Sequence, residues 1–198
     1  TPKPSSAASD VYKRQLDDLS GHTVSIGAEE SGTERNATQI LEFAGMPSSL
    51  VATKNLDYIE ATKELKAGDI DAFFCTAGLT TTVIDELSKE CDIRLIPLTD
   101  TVISKMLESS SAYTSEVIPA GTYTGQTTDI STISGKSVLI TKSDVSDDTI
   151  KQLTSLLFEK ENELSYSNSL KLELTYDFAT DGIPIPVSYT HLTLPTKA

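Results

Sequence analysis

A turn between a predicted strand and a predicted helix carries the residues best suited to hold a small anion. Ser31, Gly32 and Thr33 follow a β-rich run at 22–26 and precede helical sequence. A helix start offers unpaired backbone N–H groups and the positive end of the helix dipole, which together favour a carboxylate. The alternative is that Ser31 or Thr33 only caps the helix. The residues alone favour the helix cap.

The segment after the apolar run at 70–75 is a second candidate for ligand binding. Thr76, Ala77 and Gly78 follow that run directly, and open parallel sheets bind ligands outside the carboxyl ends of their strands. The other interpretation is a plain connecting loop in which a later threonine caps the next helix. The sequence supports both interpretations equally.

The stretch at 119–126, which contains proline and glycine, is a third candidate. Proline and glycine suit a rigid bend, while Tyr123 offers an aromatic face and Gln126 offers an amide, and such groups are useful in a solute cleft. Tyr123 could equally be a core residue whose hydroxyl reaches the surface. We favour the cleft, and therefore predict ligand contacts for Tyr123 and Gln126.

The sequence holds no set of side chains typical of catalysis or metal binding. His22 stands in the first strand region and His191 lies near the carboxyl terminus, so a Ser-His-Asp or Cys-His arrangement cannot be built from them. Cys75 and Cys91 form no C-x-x-C motif and have no histidine at metal-binding spacing, so we expect two ordinary thiols. We predict a non-catalytic protein that uses no metal and no cofactor.

Strand-like and helix-like segments alternate from residue 22 to about residue 110. Apolar periodicity predicts a first helix that ends at Gly45 and a second that ends at Gly68. The runs between the helices predict further strands at 49–56, 70–75 and 93–98. Alternation with short connections is typical of a parallel sheet covered by helices on both faces, and so predicts an α/β fold.

The later part of the chain is less regular. Residues 115–133 are rich in Thr, Gly and Pro and precede an apolar run at 136–143. We predict a long crossing segment at 117–142. A last helix is predicted from Asp147 to about Leu164, because two acids open it and its apolar residues fall on one face.

Charge and composition narrow the function further. The net charge of -13 and the absence of any basic run argue against a nucleic-acid partner. The segments 1–15 and 187–198 show neither helical nor strand periodicity and resemble translated linker sequence, so we predict that both are non-native. No signal peptide opens the chain, and we expect that the natural amino terminus precedes residue 16.

Five segments of the chain resemble the TAXI subfamily of TRAP transporter solute receptors. The specific motifs are SGTE at 31–34 and IPAGTYTGQ at 118–126. Residues 16–45, 67–78, 92–98 and 181–186 share the same resemblance. Where the family often has Pro-Gly before SGTE, this chain has Glu29 and Glu30. The added negative charge disfavours a dianionic ligand and is better tolerated by one that carries an ammonium group.

The resemblance implies a two-lobed fold of the type II periplasmic-binding-protein kind, with the ligand between the lobes. It also favours contact between the turn at Ser31, Gly32 and Thr33 and a carboxylate group of the ligand, which we therefore predict. On that basis residues 16–116 are the ligand-binding lobe, 117–142 the crossing or hinge segment, and 143–186 part of the other lobe. The implied function is capture of a small carboxylate or amino acid outside the cytoplasm and its delivery to membrane permease subunits. A cytoplasmic effector-sensing domain of a transcription regulator has the same architecture and is the alternative.

Overall fold

The computed structural model describes residues 15–159, together with Ala179. A 3₁₀ turn at Leu16–Leu19 opens this part of the chain. The strands are β1 at Thr23–Ser25, β2 at Ala52–Lys54, β3 at Ala72–Phe73, β4 at Tyr113–Ile118 and β5 at Ile130–Gly135. The helices are α1 at Gly32–Phe43, α2 at Tyr58–Ala67, α3 at Thr82–Glu90, α4 at Asp100–Ser109 and α5 at Asp147–Glu159. The last helix is confirmed from Asp147 to Glu159, and the predicted extension to Leu164 lies outside the described residues.

The first three strands form the predicted parallel sheet, in the order β2-β1-β3. Val24, at the centre of β1, is the partner of Thr53 on one side and of Ala72 on the other, and both pairings are parallel. This confirms the α/β fold, with a parallel sheet and helices arranged as in part of a periplasmic binding protein. Since all three strands run the same way, the loops that follow them leave the sheet at one edge.

The predicted strand at 93–98 is wrong, because residues 92–99 form no regular element. Pro97 lacks a backbone N–H and cannot take part in a central ladder. The segment still reaches the core through its apolar side chains, since Leu98 is buried and Ile96 packs against the same cluster. Its one hydrogen bond to a strand runs from Leu98 N–H to Ser131 O at 2.9 Å.

The ends of α1 follow from local sequence. Ser31 is the N-cap, and its hydroxyl accepts a hydrogen bond from Glu34 N–H at 3.1 Å. At the other end Gly45 takes the left-handed conformation at φ 73°, while Met46 N–H donates to Leu41 O at 2.8 Å. This is the Schellman arrangement, so the predicted stop at Gly45 is confirmed.

The second helix follows the same logic. Asp57 caps α2 by accepting a hydrogen bond from Glu60 N–H at 2.8 Å. Gly68, at φ 77°, ends α2 as predicted.

One cluster of buried side chains joins the sheet to α1 and α4. Val24 from β1 and Met106 from α4 are fully buried within it, and the 3₁₀ turn adds Leu16 and Leu19. Lys105 fastens the same two helices by donating to Phe43 O, the last carbonyl of α1, at 3.0 Å. A separate contact joins α2 to α3.

The chain divides into two compact units after Ser134. The boundary falls inside the predicted crossing segment, at the end of the two-stranded sheet of β4 and β5. In the second unit the apolar run that contains Leu139 and Ile140 is exposed and forms no regular element. Within the described part of the chain, no helix is both long enough and apolar enough to cross a membrane.

The α1–α4 packing yields a stability prediction. Met106→Ala should lower the free energy of unfolding by about 2–5 kcal/mol, because Met106 is fully buried and its loss leaves a cavity. Leu107→Ala, one position along α4 and 37% exposed, is the matched control and should lose far less. Chemical denaturation followed by circular dichroism measures both. Equal losses would show that α4 does not pack as described.

Candidate ligand-binding site

The carboxyl edge of the parallel sheet gathers the polar groups of the candidate site. Three loops leave the sheet there, at 26–31 after β1, at 55–57 after β2 and at 74–81 after β3. Two of the three segments singled out from sequence, around Ser31 and around Thr76, therefore lie at this edge. Side-chain hydrogen bonds tie the loops and the helices that follow them together.

The Tyr58 hydroxyl, at the first residue of α2, is the centre of this network. It donates to Thr76 O at 2.9 Å and accepts from Thr76 N–H at 3.0 Å. Thr33 Oγ1 lies 2.9 Å from the same phenol oxygen. A phenol carries one hydrogen, which Thr76 O already receives, so Thr33 must be the donor in its contact with Tyr58. One hydroxyl thus joins α1, α2 and the loop after β3.

Asn36 extends the network from α1 to β4. Its side-chain oxygen accepts from the Tyr113 hydroxyl at 2.8 Å, and its nitrogen donates to Thr76 Oγ1 at 3.4 Å. The Thr76 hydroxyl is thus an acceptor toward Asn36. Its own hydrogen has no acceptor among the described residues, so it can be donated to a ligand.

The turn at Ser31, Gly32 and Thr33 combines a cap with open donors. Ser31 caps the helix, while Thr33 is buried in the first turn and bonds Tyr58 instead. In the described part of the chain, Gly32 N–H and Thr33 N–H have no hydrogen-bond acceptor, as expected for the first turn of a helix. The two readings of this turn are therefore compatible: the Ser31 side chain caps α1, and two backbone donors stay open.

Glu34 fixes the backbone that leads into this turn. Its carboxylate accepts from Glu30 N–H at 2.6 Å and from the Asn55 amide at 2.8 Å. Asn55 also donates to Gly27 O at 3.1 Å. Gly27 is required here, since at φ 101° an added Cβ would lie 2.7 Å from Thr33 Cβ. The loop after β1 is therefore held by a carboxylate from α1 and an amide from the loop after β2.

Glu30 is in a strained conformation. Its φ of 60° makes it the one non-glycine residue with positive φ in the described part of the chain. Residues of this kind are uncommon and cluster at functional sites. Glu30 and Glu34 also line an open groove of about 550 Å³ along the outer face of α1. One arginine, Arg35, faces three carboxylates in the lining of this groove, so it favours no anion.

The loop at 74–81 is exposed from Thr76 to Thr80, so Ala77 and Gly78 are accessible to a ligand. Its far end is held by Tyr123, whose hydroxyl donates to Leu79 O at 2.7 Å and accepts from Thr81 N–H at 3.2 Å. Tyr123 is 7% exposed. Burial raises the pKa of the Tyr123 hydroxyl, and the hydrogen bond from Thr81 opposes the rise. The phenol therefore keeps the proton that it donates.

Gln126 holds the turn that carries Tyr123. Its side-chain oxygen accepts from Tyr123 N–H at 3.3 Å, and its amide nitrogen donates to three backbone carbonyls at 3.0–3.2 Å. Gly121 N–H closes the turn by donating to Gln126 O at 2.9 Å. The polar atoms of Gln126 and Tyr123 are thus directed to the backbone of the turn and of the loop at 74–81.

Cys75 lies in the loop directly before Thr76. Burial raises the pKa of its thiol to about 11, and a hydrogen bond with Tyr58 opposes part of the rise. Neither Cys75 nor Cys91 forms a disulfide bond. No three His, Cys, Asp or Glu side chains among residues 15–159 converge as metal ligands.

A known protein family matches almost all of this sequence. The model described as NMT1-like family aligns with residues 5–189. The chain belongs to the NMT1-like family. This is a family of periplasmic solute-binding-type proteins of TRAP and ABC systems, so membership indicates solute binding and points to a non-catalytic binding protein. Its members are usually extracytoplasmic. The matched span includes residues 5–15 and 187–189, whose assignment to linkers stays a prediction.

The sequence analysis did not identify four residues of the hydrogen-bond network at the candidate site: Asn36, Asn55, Tyr58 and Tyr113. Their partners are 18 to 77 residues away along the chain, so no local motif marks them. One signal was available for Tyr58, because a tyrosine that follows a capping Asp57 after a strand must lie at the carboxyl edge of a parallel sheet. Asn55 is placed at the same edge by the same reasoning.

The strain at Glu30 yields a second prediction. Glu30→Gly should raise the free energy of unfolding by about 0.5–1 kcal/mol. Relief of the left-handed backbone, about 1–2 kcal/mol, exceeds the entropy that a glycine loses on folding, about 0.5–1 kcal/mol. Glu29→Gly removes the same charge at a residue without positive φ, and should destabilise the protein. Chemical denaturation compares the two, and an equal effect of both variants would mean that position 30 is unstrained.

The thiol of Cys75 yields a third prediction, for a Cys91→Ser background. Since the thiolate is the nucleophile and the pKa is about 11, alkylation by iodoacetamide should accelerate about tenfold per pH unit from pH 8 to pH 10. Mass spectrometry follows the reaction. A rate that levels off by pH 9 would contradict the burial of Cys75.

Proposed function

We propose that this chain is the solute receptor of a TRAP-type uptake system of the TAXI subfamily. It captures a small carboxylate or an amino acid outside the cytoplasm and delivers it to the membrane permease subunits of the transporter. Family membership supports solute binding and an extracytoplasmic location. The SGTE and IPAGTYTGQ motifs support the finer assignment to the TAXI subfamily.

One observation carries the proposal. The Tyr58 hydroxyl joins three strand-to-helix connections at one edge of the sheet. Beside this junction stand donors suited to a carboxylate: Gly32 N–H and Thr33 N–H at the start of α1, and the Thr76 hydroxyl. Carboxylates bind well to such groups because the helix dipole is favourable and each N–H is already free of intrahelical partners. A solute site needs only a few polar groups placed in this way.

The roles of the predicted site residues follow from their contacts. Ser31 shapes the turn, and Gly32 and Thr33 present N–H groups to the solute carboxylate. Thr76, Ala77 and Gly78 form the accessible loop that contacts the rest of the solute. The hydrogen bonds of Tyr123 and Gln126 favour a supporting role for both, in place of the direct solute contact that their sequence context suggested.

The charge around the turn bears on the choice of solute. Glu29 and Glu30 are exposed directly before the N-cap. Two carboxylates at this position repel a second negative charge on a ligand and attract an ammonium group. An amino acid or a monocarboxylate therefore suits the site better than a dianion.

The proposal predicts that Gly32→Val lowers affinity at least tenfold. A Cβ at position 32 has no atom within 4 Å outside the neighbouring residues and the backbone of its own helix turn, so the variant should fold. The methyl groups of valine should block the approach of a carboxylate to the N–H donors. Isothermal titration calorimetry with a panel of amino acids, monocarboxylates and dicarboxylates measures the effect. Thermal melts of the ligand-free variant test whether it folds normally.

Thr38→Val is the control for the open groove on the outer face of α1, because it replaces a hydroxyl with a methyl group there and keeps the shape of the side chain. It should bind as wild type does. If Gly32→Val kept full affinity and Thr38→Val lost it, the solute would bind in the groove and the turn would be only a helix cap. If the wild-type protein bound no member of the panel, the proposed solute class would be wrong.

A further inference from the structure

Two tyrosines from different parts of the fold hold the same loop by the same chemistry. Tyr58 at the start of α2 bonds both the N–H and the C=O of Thr76. Tyr123 in the turn between β4 and β5 bonds Leu79 O and Thr81 N–H. In each case one phenol donates to a carbonyl and accepts from an amide of the loop at 74–81.

The two contacts fix the loop at both ends of its exposed part. The loop leaves β3 at Phe74, whose N–H still pairs with Ser25 O at 2.9 Å. The next residues no longer follow the sheet, and the tyrosine hydroxyls replace strand partners for the backbone. Between the two anchors lie Ala77 and Gly78, which are small and exposed. Small residues impose little conformational restriction of their own, so the shape of this segment depends on its anchors.

The anchoring groups are themselves rigid. A tyrosine side chain has two rotatable angles, and Tyr123 is buried to 7% exposure. Tyr58 is fixed by the hydrogen bond from Thr33, a buried residue of α1. The backbone of Tyr123 is fixed in turn by Gln126. The two tyrosine hydroxyls are therefore fixed in place, so the loop can move only if its hydrogen bonds to them break.

We propose that Tyr58 and Tyr123 are positioning residues that hold residues 76–81 in the ligand-binding shape before the solute arrives. Ordering a loop on binding costs affinity, and a loop that is already ordered avoids this cost. The inference rests on the proposed function for the nature of the ligand, while the order of the free loop can be measured without any ligand.

The first experiment uses the full chain without ligand. Amide hydrogen exchange is measured for wild type, Tyr58→Phe, Tyr123→Phe and the double variant. Loss of each hydroxyl should accelerate exchange at its own anchor, Thr76 for Tyr58 and Thr81 for Tyr123, by about tenfold. Exchange at Val24 in the sheet should stay unchanged. Unchanged exchange in residues 76–81 of the double variant would overturn the proposal.

Ser88→Ala is the control for a general loss of stability in this region. The Ser88 hydroxyl donates to Asp85 O at 2.8 Å inside α3, next to the loop, and is buried to a similar degree as Tyr123. Its loss should leave exchange in residues 76–81 as in wild type. If Ser88→Ala loosened the loop as much as Tyr123→Phe does, the effect would be general destabilisation and the proposal would be wrong.

The second experiment uses calorimetry with the carboxylate that binds wild type most tightly in the panel described above. Each tyrosine variant should raise Kd about five- to tenfold, with the loss appearing as a less favourable binding entropy because the loop must now be ordered. A loosened loop with an unchanged Kd would overturn the positioning role. If no carboxylate bound wild type, the proposed function would fail, and hydrogen exchange would still decide whether the tyrosines order the loop.

Discussion

The parallel pairing of β1 with β2 and β3 is the constraint on which the site depends. Parallel strands need crossover connections, and here helices supply those connections. Each strand therefore ends at the same edge, and each following helix begins there. The starts of α1 and α2 and the loop before α3 are brought together although they are far apart in sequence. A strand of opposite direction at β3 would carry Thr76 to the other edge and dismantle the network.

At this edge the backbone must find hydrogen-bond partners outside the sheet. Beyond Phe74 the chain leaves the ladder, so the N–H and C=O of Thr76 have no strand partner. Tyr58 meets the need because a phenol can donate once and accept more than once. The Tyr123 hydroxyl supplies hydrogen-bond partners to the backbone at the other end of the loop in the same way. The hydroxyls that hold the loop therefore lie next to the donors that are available to a solute.

The sequence predicts the elements of the fold better than their contacts. Apolar periodicity and the glycines at 45 and 68 mark two helix ends correctly, because these signals act within one turn of helix. The segment at 93–98 looked like a strand since it is apolar, but a single Pro97 removed the donor that a ladder needs. A central strand must be buried and must also pair its backbone with a neighbouring strand. An apolar pattern predicts the burial but not the pairing.

The same distinction explains which residues of the candidate site the sequence could indicate. The turn at Ser31 was found because a helix start has a local signature. Tyr58 and Asn36 have none, since their roles come from partners brought near by the sheet. Tyr123 and Gln126 were selected because an aromatic ring and an amide suit a ligand cleft. Their hydrogen bonds are instead directed to the backbone. Residue type alone therefore cannot separate a group that binds a solute from one that holds the binding loop.

The turn before α1 shows how the fold keeps a shape that its sequence does not favour. Position 30 has the left-handed backbone that suits glycine, and glutamate occupies it at a cost of about 1–2 kcal/mol. The hydrogen bond from Glu30 N–H to Glu34 and the bond from Asn55 to Gly27 O hold this shape from both sides. Since Glu34 is also bound by Asn55, its carboxylate is committed to the turn. Among the described residues no carboxylate accepts from Gly32 N–H or Thr33 N–H, so both donors are available to an external acceptor.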